Sequence, residues 1–504
     1  MSLLESLRPM AREVRGATRG TRDRVESKTT VTVIGGGIAG VSAACVLAER
    51  GVDVVLLEAE SFLGGRAGAW TERLPDGTPF QMERGFHGFF RQYYNLRNLL
   101  RRVDPELERL RPLEDYPILG PDGLSESFAG LPKTPPLNLM ALLRRTKVMS
   151  LRDLRGVDAS QAQQMLRFDP LKTYGEYDDL TAREYLDSLK FPPSARQVLF
   201  DVFSHSFFNP EEGMSAAEML MMFHFYFLGN PEGIVFDVCD EPFSDAIWKP
   251  MERYLARHSV DVRLSRPADS LEQTRTGWRV HAGETIDCHA VVLATSVPGL
   301  KALVDASPAL ASDEGFARSV RELDVTLPFV VWRRFLDRRA EENRAPFAGT
   351  AGAGMLDNIS LFERFEGESR RWSMRHGGSV VELHAYACAE EDDERVKREL
   401  WDKTVALYPE LADASSGHDV WLRKTDCPAF APGSHARRPR VATPYGTIAL
   451  CGDHVKLPFP TALMERAAAS GMLAANFLLD AWDVRGEVLH SIPLRGFMAG
   501  LPLG

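Results

Sequence analysis

The stretch Thr30–Leu57, TVTVIGGGIAGVSAACVLAERGVDVVLL, closed by Glu58, constrains this chain more than any other. Val31–Ile34 is a short β-branched apolar run and predicts a buried parallel strand. Gly35, Gly37 and Gly40 follow at G-x-G-x-x-G spacing. The first permits a tight turn, the second lets a pyrophosphate approach the backbone, and the third lets the next helix pack closely on the strand. That helix, expected over Ile38–Arg50, points its positive N-terminal end and the amides of Ile38 and Ala39 at the phosphates. Gly51 ends it, Val52–Leu57 is a second strand, and Glu58, followed by Ala59, stands where a carboxylate accepts hydrogen bonds from a ribose diol. Glycines alone would fit an ordinary βαβ turn. Strand, glycines, helix, strand and acid in one register predict a dinucleotide site.

A second element follows at Ser61–Arg66, SFLGGR. Gly64 and Gly65 allow backbone to run close to a ligand, and Arg66 offers a forked cation to a phosphate. Near the other end, Ile448–Cys451 predicts a strand leading into Gly452-Asp453, then a helix over Ala462–Asp480. Asp453 is placed to bond a ribityl chain. The amides of Ala462, Leu463 and Met464 at the helix start are placed near an electron-rich ring edge.

Between these ends the pattern changes. Thr71–Phe80 reads as a strand, a turn at Pro75-Asp76-Gly77 and a returning strand. Tyr93–Arg102 reads as a helix. Thr181–Glu184 and Ser215–Glu218 fit capping boxes. Ala216–Leu228, AAEMLMMFHFYFL, is apolar almost all round, so it is buried on every side, as core or as a plastic lining that includes Met222. Leu137–Leu151 is apolar on one side and carries Arg144, Arg145 and Lys147, which suits either an interfacial helix or an ordinary amphipathic cover. Val260–Leu264, Gly277–Ala282 and Ala290–Ala294 read as strands. Leu323–Phe335, Ser379–Ala387 and Asp419–Arg423 read as half-buried strands, with a helix over Glu394–Leu407, predicting an α+β layer.

The net charge of -10 and the lack of a basic stripe argue against a nucleic-acid partner. The six cysteines are scattered without zinc or iron–sulfur spacing, so no metal is expected, and a reduced cytoplasmic compartment fits best. No stretch of about eighteen uninterrupted apolar residues predicts a spanning helix. Met1–Lys28, rich in arginine, reads as a tail.

The G-G-R after the ribose acid resembles flavoproteins of the amine oxidase and phytoene desaturase superfamily. The blocks GFHGFFRQYYNLR (Gly85–Arg97), SHSFFNPEEGMSAAEML (Ser204–Leu220) and FHFYFLGNPEGIVFDV (Phe223–Val238) further resemble the bacterial carotene desaturase/methyltransferases of the isorenieratene synthase type. The resemblance implies FAD as cofactor, with Gly85, Phe86 and His87 against the flavin and the backbone of Ala268 against adenine. It implies an α/β fold, a Rossmann-type (glutathione reductase-like) FAD-binding domain with an inserted α+β substrate domain. The expected division is 1–28 basic N-terminal tail, 29–112, 238–300 and 441–480 FAD-binding domain, 113–237 and 301–440 substrate domain, and 481–504 C-terminal tail.

The resemblance also implies a reaction: a β-ionone ring of β-carotene or γ-carotene becomes a trimethylphenyl ring by loss of two hydrides and two protons with a 1,2-methyl shift. A developing ring cation calls for aromatic faces, for which Phe89, Phe90, Phe225, Tyr226 and Phe227 are candidates. Proton removal calls for a base, and His87, His224, Asp237 and His454 stay open, His87 also as a structural hydrogen-bonding residue. Electrons leave to an unidentified acceptor, quinone or oxygen, and the substrate is met at a membrane surface. The alternatives are another flavin oxidoreductase (a linear-polyene desaturase or isomerase, or an amine oxidase), a non-catalytic flavin-binding protein, and a plain NAD enzyme.

Overall fold

The computed structural model describes residues 12–15, 20–132, 137–146, 156–192, 196, 207–229, 233 and 236–500. Its centre is a five-stranded sheet, in spatial order Asp261–Arg263, Asp53–Leu57, Thr30–Ile34, Ala290–Leu293 and Ile448–Leu450, every pair parallel. Side chains alternate across it as the strand pleat requires. Val54 and Leu56 enter one core, and Leu57 with Val291 and Leu293 enters another.

The first core holds the helix Ile38–Glu49 against the helix Leu463–Ala481. Small residues set their closeness. A Cβ on Gly471 would sit 2.0 Å from the Ala39 carbonyl oxygen, and one on Gly40 would sit 1.8 Å from that of Gly35. The third glycine of the motif is thus held by helix–strand packing. The second core lies under a three-stranded antiparallel sheet, Ser270–Gln273, Trp278–His281 and Thr285–Cys288, and the helices Val297–Asp305, Pro308–Ala311 and Glu314–Arg321. Residues 301–321 therefore pack on the parallel sheet and not with the substrate half expected over 301–440. Leu300, Leu303, Phe316 and Val320 give that face its apolar cover.

A seven-stranded sheet forms the other half. Its order is Ser416–Lys424, Phe329–Leu336, Val380–Ala385, Asn358–Leu361, Phe347–Thr350, Ile118–Leu119 and Ser125–Glu126. Val381, Leu383 and Ala385 turn to a core shared with Val396 and Leu400 of the helix Asp393–Leu407. The intervening residues, Glu382 and His384, point to the opposite face.

Thr181 and Glu184 form a complete capping box. Ser215 caps its helix, but Glu218 does not turn back, because its carboxylate is taken by Arg438 at 2.8 Å and Arg466 at 2.5 Å. The apolar stretch after Ser215 is α-helical over Ala216–Phe223 and widens into a π-helical turn over His224–Leu228. Leu137–Arg145 is a helix, while residues 147–151 of that expected element lie outside the described residues.

The two ends are less free than two tails. Arg12–Arg15 pairs antiparallel with Leu489–Ser491, and Arg22 and Asp483 are joined through backbone and side chains. Leu489 and Ile492 are fully buried, so the strand between them anchors the N-terminal segment. Residues 1–11, 16–19 and 501–504 of the expected tails lie outside the described residues.

Candidate functional site

One cavity of about 560 Å³ runs between the two halves. At one end two glycine loops form its floor. Gly35, at φ +110°, turns the chain out of the first strand, and its amide donates to the Leu57 carbonyl at 2.8 Å. The Gly64 amide donates to the Gly36 carbonyl at 2.8 Å, and Gly37 and Gly64 are bridged backbone to backbone. Gly37 opens onto the cavity. A Cβ there would meet only Gly65 Cα and the Gly64 oxygen, at 3.9 and 4.0 Å.

Glu58 locks this floor. Its carboxylate accepts from the Gly36 amide at 2.6 Å and from the Glu60 amide at 2.8 Å, and burial pushes its pKa up. Ile38, Ala39, Ala59 and Ala268 line the same end. Arg66 and Asp453 meet on the wall as an ion pair at 2.5 Å. Burial pushes the Asp453 carboxyl up, but Arg66 outweighs it and holds the group below its usual range. Gly452, Leu463 and Met464 complete this side. Leu463 sits at φ +48°, a strained backbone for a non-glycine and one that concentrates at ligand sites.

The residues fit a dinucleotide. Gly37 leaves a groove that a side chain would fill. Two buried polar atoms of lining residues, Thr295 Oγ1 and Arg84 Nε, have no hydrogen-bond partner among the described residues. Gly35, Gly37, Gly64 and Gly65 would carry the phosphates, Glu58 the ribose, and Ala268 the adenine.

Further along, the walls become aromatic: Phe90, Tyr93, Tyr226, Phe227, Phe236 and Phe347. The hydroxyls of Tyr93 and Tyr226 are 2.6 Å apart, so one donates to the other and the two polar tips turn toward each other. Tyr93, Phe236 and Phe347 were missed from the sequence. Tyr93 reads as the start of a helix, and nothing local in the sequence shows which side any of the three faces.

Of the four base candidates, His87 alone lines the cavity. Its Nδ1 lies 2.8 Å from the Gly85 carbonyl, and burial drives its pKa down to about 4, so it is neutral. The other three do not line it. His224 stacks on Phe168 and reaches the Pro493 carbonyl at 2.8 Å. Asp237 is taken by Arg97 at 2.8 Å. His454 is folded beneath Gly452, where a Cβ would strike its ring at 2.4 Å.

Phe89, Met222 and Phe225 are buried in the core away from the cavity, Phe89 against Phe243 and Phe225 against Tyr93. Gly40, Gly85 and Ala462 shape the site without lining it. Gly40 seats the helix, Ala462 precedes the first helical residue of Leu463–Ala481, and Gly85, at φ +105°, makes room for His384. A Cβ there would lie 2.8 Å from the His384 ring.

The sequence reading missed the wall contributed by the seven-stranded sheet: Asp357, His384 and Tyr386, with Asp426 and Cys427 beside them. Its signal was the alternation Glu382, His384, Tyr386 in ELHAY, polar residues on the face that a half-buried strand presents away from its core.

The family model for flavin containing amine oxidoreductases matches residues 38–479. The chain is 45% identical over 477 residues to a carotenoid phi-ring synthase of Streptomyces griseus, covering 94% of this chain and 92% of that protein. It is 27% identical over 618 residues to a carotenoid phi-ring synthase of Chlorobaculum tepidum, covering 97% and 95%. Among solved structures, a triple mutant of putrescine oxidase superposes with a TM-score of 0.66 at 16% identity, covering 90% of this chain and 99% of that one. Cyclohexylamine oxidase from Brevibacterium oxydans gives 0.65 at 14%, covering 90% and 100%.

Proposed function

The chain belongs to the flavin containing amine oxidoreductases, and from that premise we propose that this FAD-dependent enzyme converts the β-ionone ring of β-carotene or γ-carotene into a trimethylphenyl ring. Each ring loses four hydrogens and no carbon, and one geminal methyl moves to the neighbouring ring carbon. The observation that carries the reading is the continuity of one cavity from a glycine floor to an aromatic end. A cavity of that shape suits a dinucleotide and a hydrocarbon lying in line. The identity to carotenoid phi-ring synthases supports a carotenoid ring as the substrate.

FAD bound on the glycine floor supplies a two-electron hydride acceptor. The chain supplies the surroundings. Phe90, Tyr226, Phe227 and Phe347 present ring faces that attract a cation and exclude water. Loss of hydride from the substrate ring leaves positive charge beside the quaternary carbon, and migration of a methyl relieves the geminal crowding there. A proton then leaves, and a second oxidation with a second proton loss completes the arene. Quinone or oxygen takes the electrons. The carotene is met at a bilayer surface, and no helix of the described residues is long and apolar enough to cross one.

Pigment analysis in a carotene-producing host tests the reading. Carotene labelled at the geminal methyls should yield an arene with label on the new aryl methyl. A product that keeps its geminal pair and gains only a chain double bond, or one that loses the label, overturns it.

A further inference from the structure

On the reading just given, a proton must leave the ring, and His87 is the sole earlier base candidate on the cavity wall. We propose that Tyr386 takes the ring proton, with His384 and Glu382 as positioning residues that receive and hold the resulting charge. The row is built by strand periodicity. Glu382, His384 and Tyr386 are spaced by two along one strand and its extension, so they share a face. Arg333 stands directly opposite Glu382 on one neighbouring strand, and Asn358 opposite His384 on the other.

The contacts run in one direction. Arg333 binds Glu382 Oε2 at 2.8 Å. Glu382 Oε1 lies 2.7 Å from His384 Nε2, and His384 Nδ1 lies 2.7 Å from the Tyr386 hydroxyl. The Asn358 amide donates to that hydroxyl at 2.9 Å. A carboxylate only accepts, so Nε2 carries a proton, and in the neutral imidazole Nδ1 is bare. Tyr386 therefore donates to Nδ1, accepts from Asn358 and has one lone pair left on a side chain that lines the cavity. Arg333, Glu382 and His384 are each at most 2% exposed. Such a row is costly to bury unless every member is satisfied, and here it ends at the cavity.

The step balances. A ring C–H bond breaks and its electron pair becomes the ring double bond that discharges the cation. The proton passes to the Tyr386 oxygen as the hydroxyl's own proton passes to His384 Nδ1. The imidazolium formed rests against the Glu382 carboxylate. Burial, with Asp357 beside it, pushes the phenol's pKa up, so Tyr386 keeps its proton at rest and releases it only while receiving another. The close seating of His384 over Gly85 ties the row to the segment next to His87.

The test compares holoenzymes carrying Tyr386→Phe, His384→Gln and Asp357→Asn, each first checked for FAD content and thermal midpoint. A 1,2,4-trimethylpiperidinium with a long alkyl tail on carbon 3 carries an N–H where the methyl-shifted ring cation carries its departing proton. It should bind wild-type protein at least tenfold more tightly than Tyr386→Phe, read by the change in flavin absorbance, while the neutral cyclohexane counterpart binds both alike. With carotene in liposomes, Tyr386→Phe and His384→Gln should keep the rate of flavin bleaching and lose at least tenfold in arene formed per flavin bleached. Equal piperidinium affinities, an unchanged arene ratio, or a loss confined to Asp357→Asn would each overturn the assignment. A wild-type enzyme that no ring carotene bleaches overturns the proposed function instead, and the piperidinium comparison still decides the role of Tyr386.

Discussion

Arg66 and Asp453, separated by 387 positions, meet at 2.5 Å on the cavity wall and tie the first glycine-rich half of the site to the last strand of the parallel sheet. The Asp453 side chain is 8% exposed, so removing its charge leaves a guanidinium facing a poorly hydrated partner. A charge-assisted hydrogen bond of this kind contributes roughly 1.5–3 kcal/mol. Asp453→Asn should lower the thermal midpoint and weaken FAD retention together. Because the folded pKa of Asp453 is depressed, its contribution is present above the unfolded carboxyl pKa and lost as pH falls through the folded one. The difference between wild type and Asp453→Asn should therefore shrink in acid below about pH 4. A difference that is constant from neutral pH into acid would show that the pair does not carry the effect.

Gly37 and Gly40 are three positions apart and should respond oppositely to alanine. At Gly37 the new methyl meets nothing closer than 3.9 Å and enters the cavity. Gly37→Ala should fold with an unchanged apoprotein midpoint and fail to retain FAD. At Gly40 the methyl would lie 1.8 Å from the Gly35 oxygen. Overpacking of this kind costs about 1–3 kcal/mol or more, so Gly40→Ala should lose stability even without cofactor. Calorimetry of the two apoproteins separates the cases, and equal midpoints would contradict the packing argument.

Glu83 is buried and accepts the Phe243 amide at 2.7 Å. Burial pushes its pKa up to about 8, against the pull of Arg333 and with Glu366 and Glu382 adding to the rise. A raised folded pKa means that its stabilising contribution is complete below the unfolded pKa and lost as pH climbs toward 8. Glu83→Gln keeps an acceptor for the amide and cannot ionise. Its midpoint relative to wild type should rise between pH 5 and pH 8, by on the order of a few degrees. A relative midpoint that stays flat across that interval would place Glu83 in its ionised form throughout.

How much of this was legible depended on whether the signal was local. The βαβ unit, Glu58, the G-G-R turn and the Gly452-Asp453 turn each carry their geometry within a few residues, and the structure brings all of them to one cavity. The base candidates, His87, His224, Asp237 and His454, are three histidines and an acid that nothing in the sequence ranks. Three of them are occupied elsewhere, by the Pro493 carbonyl, by Arg97 and by the space under Gly452. Nothing local distinguishes such a histidine from one facing a cavity. The row Glu382, His384, Tyr386 alternates visibly, but its meaning depends on Arg333 and Asn358 from neighbouring strands. The reciprocal arm of the second capping box failed for the same reason, since Arg438 and Arg466 are distant in sequence.

The helix Leu137–Arg145 carries the remaining expectation. Asn138 is buried and its amide donates to the Phe227 carbonyl at 3.0 Å, which ties the helix to the aromatic end of the cavity. Leu137 is 53% exposed, and Arg144 and Arg145 end the helix exposed. An exposed leucine with arginines on a helix beside a hydrocarbon-sized cavity suits a bilayer surface, where apolar burial and attraction to anionic headgroups add. Each arginine near an anionic surface is worth about 1 kcal/mol. Arg145 also holds the Ala129 carbonyl, so Arg144 is the cleaner site to change. Leu137→Asp combined with Arg144→Ala should reduce flotation with anionic liposomes at least tenfold while leaving FAD content unchanged. Binding that persists at the wild-type level would move the membrane contact to another surface, and flotation equally strong with neutral liposomes would remove Arg144 from it.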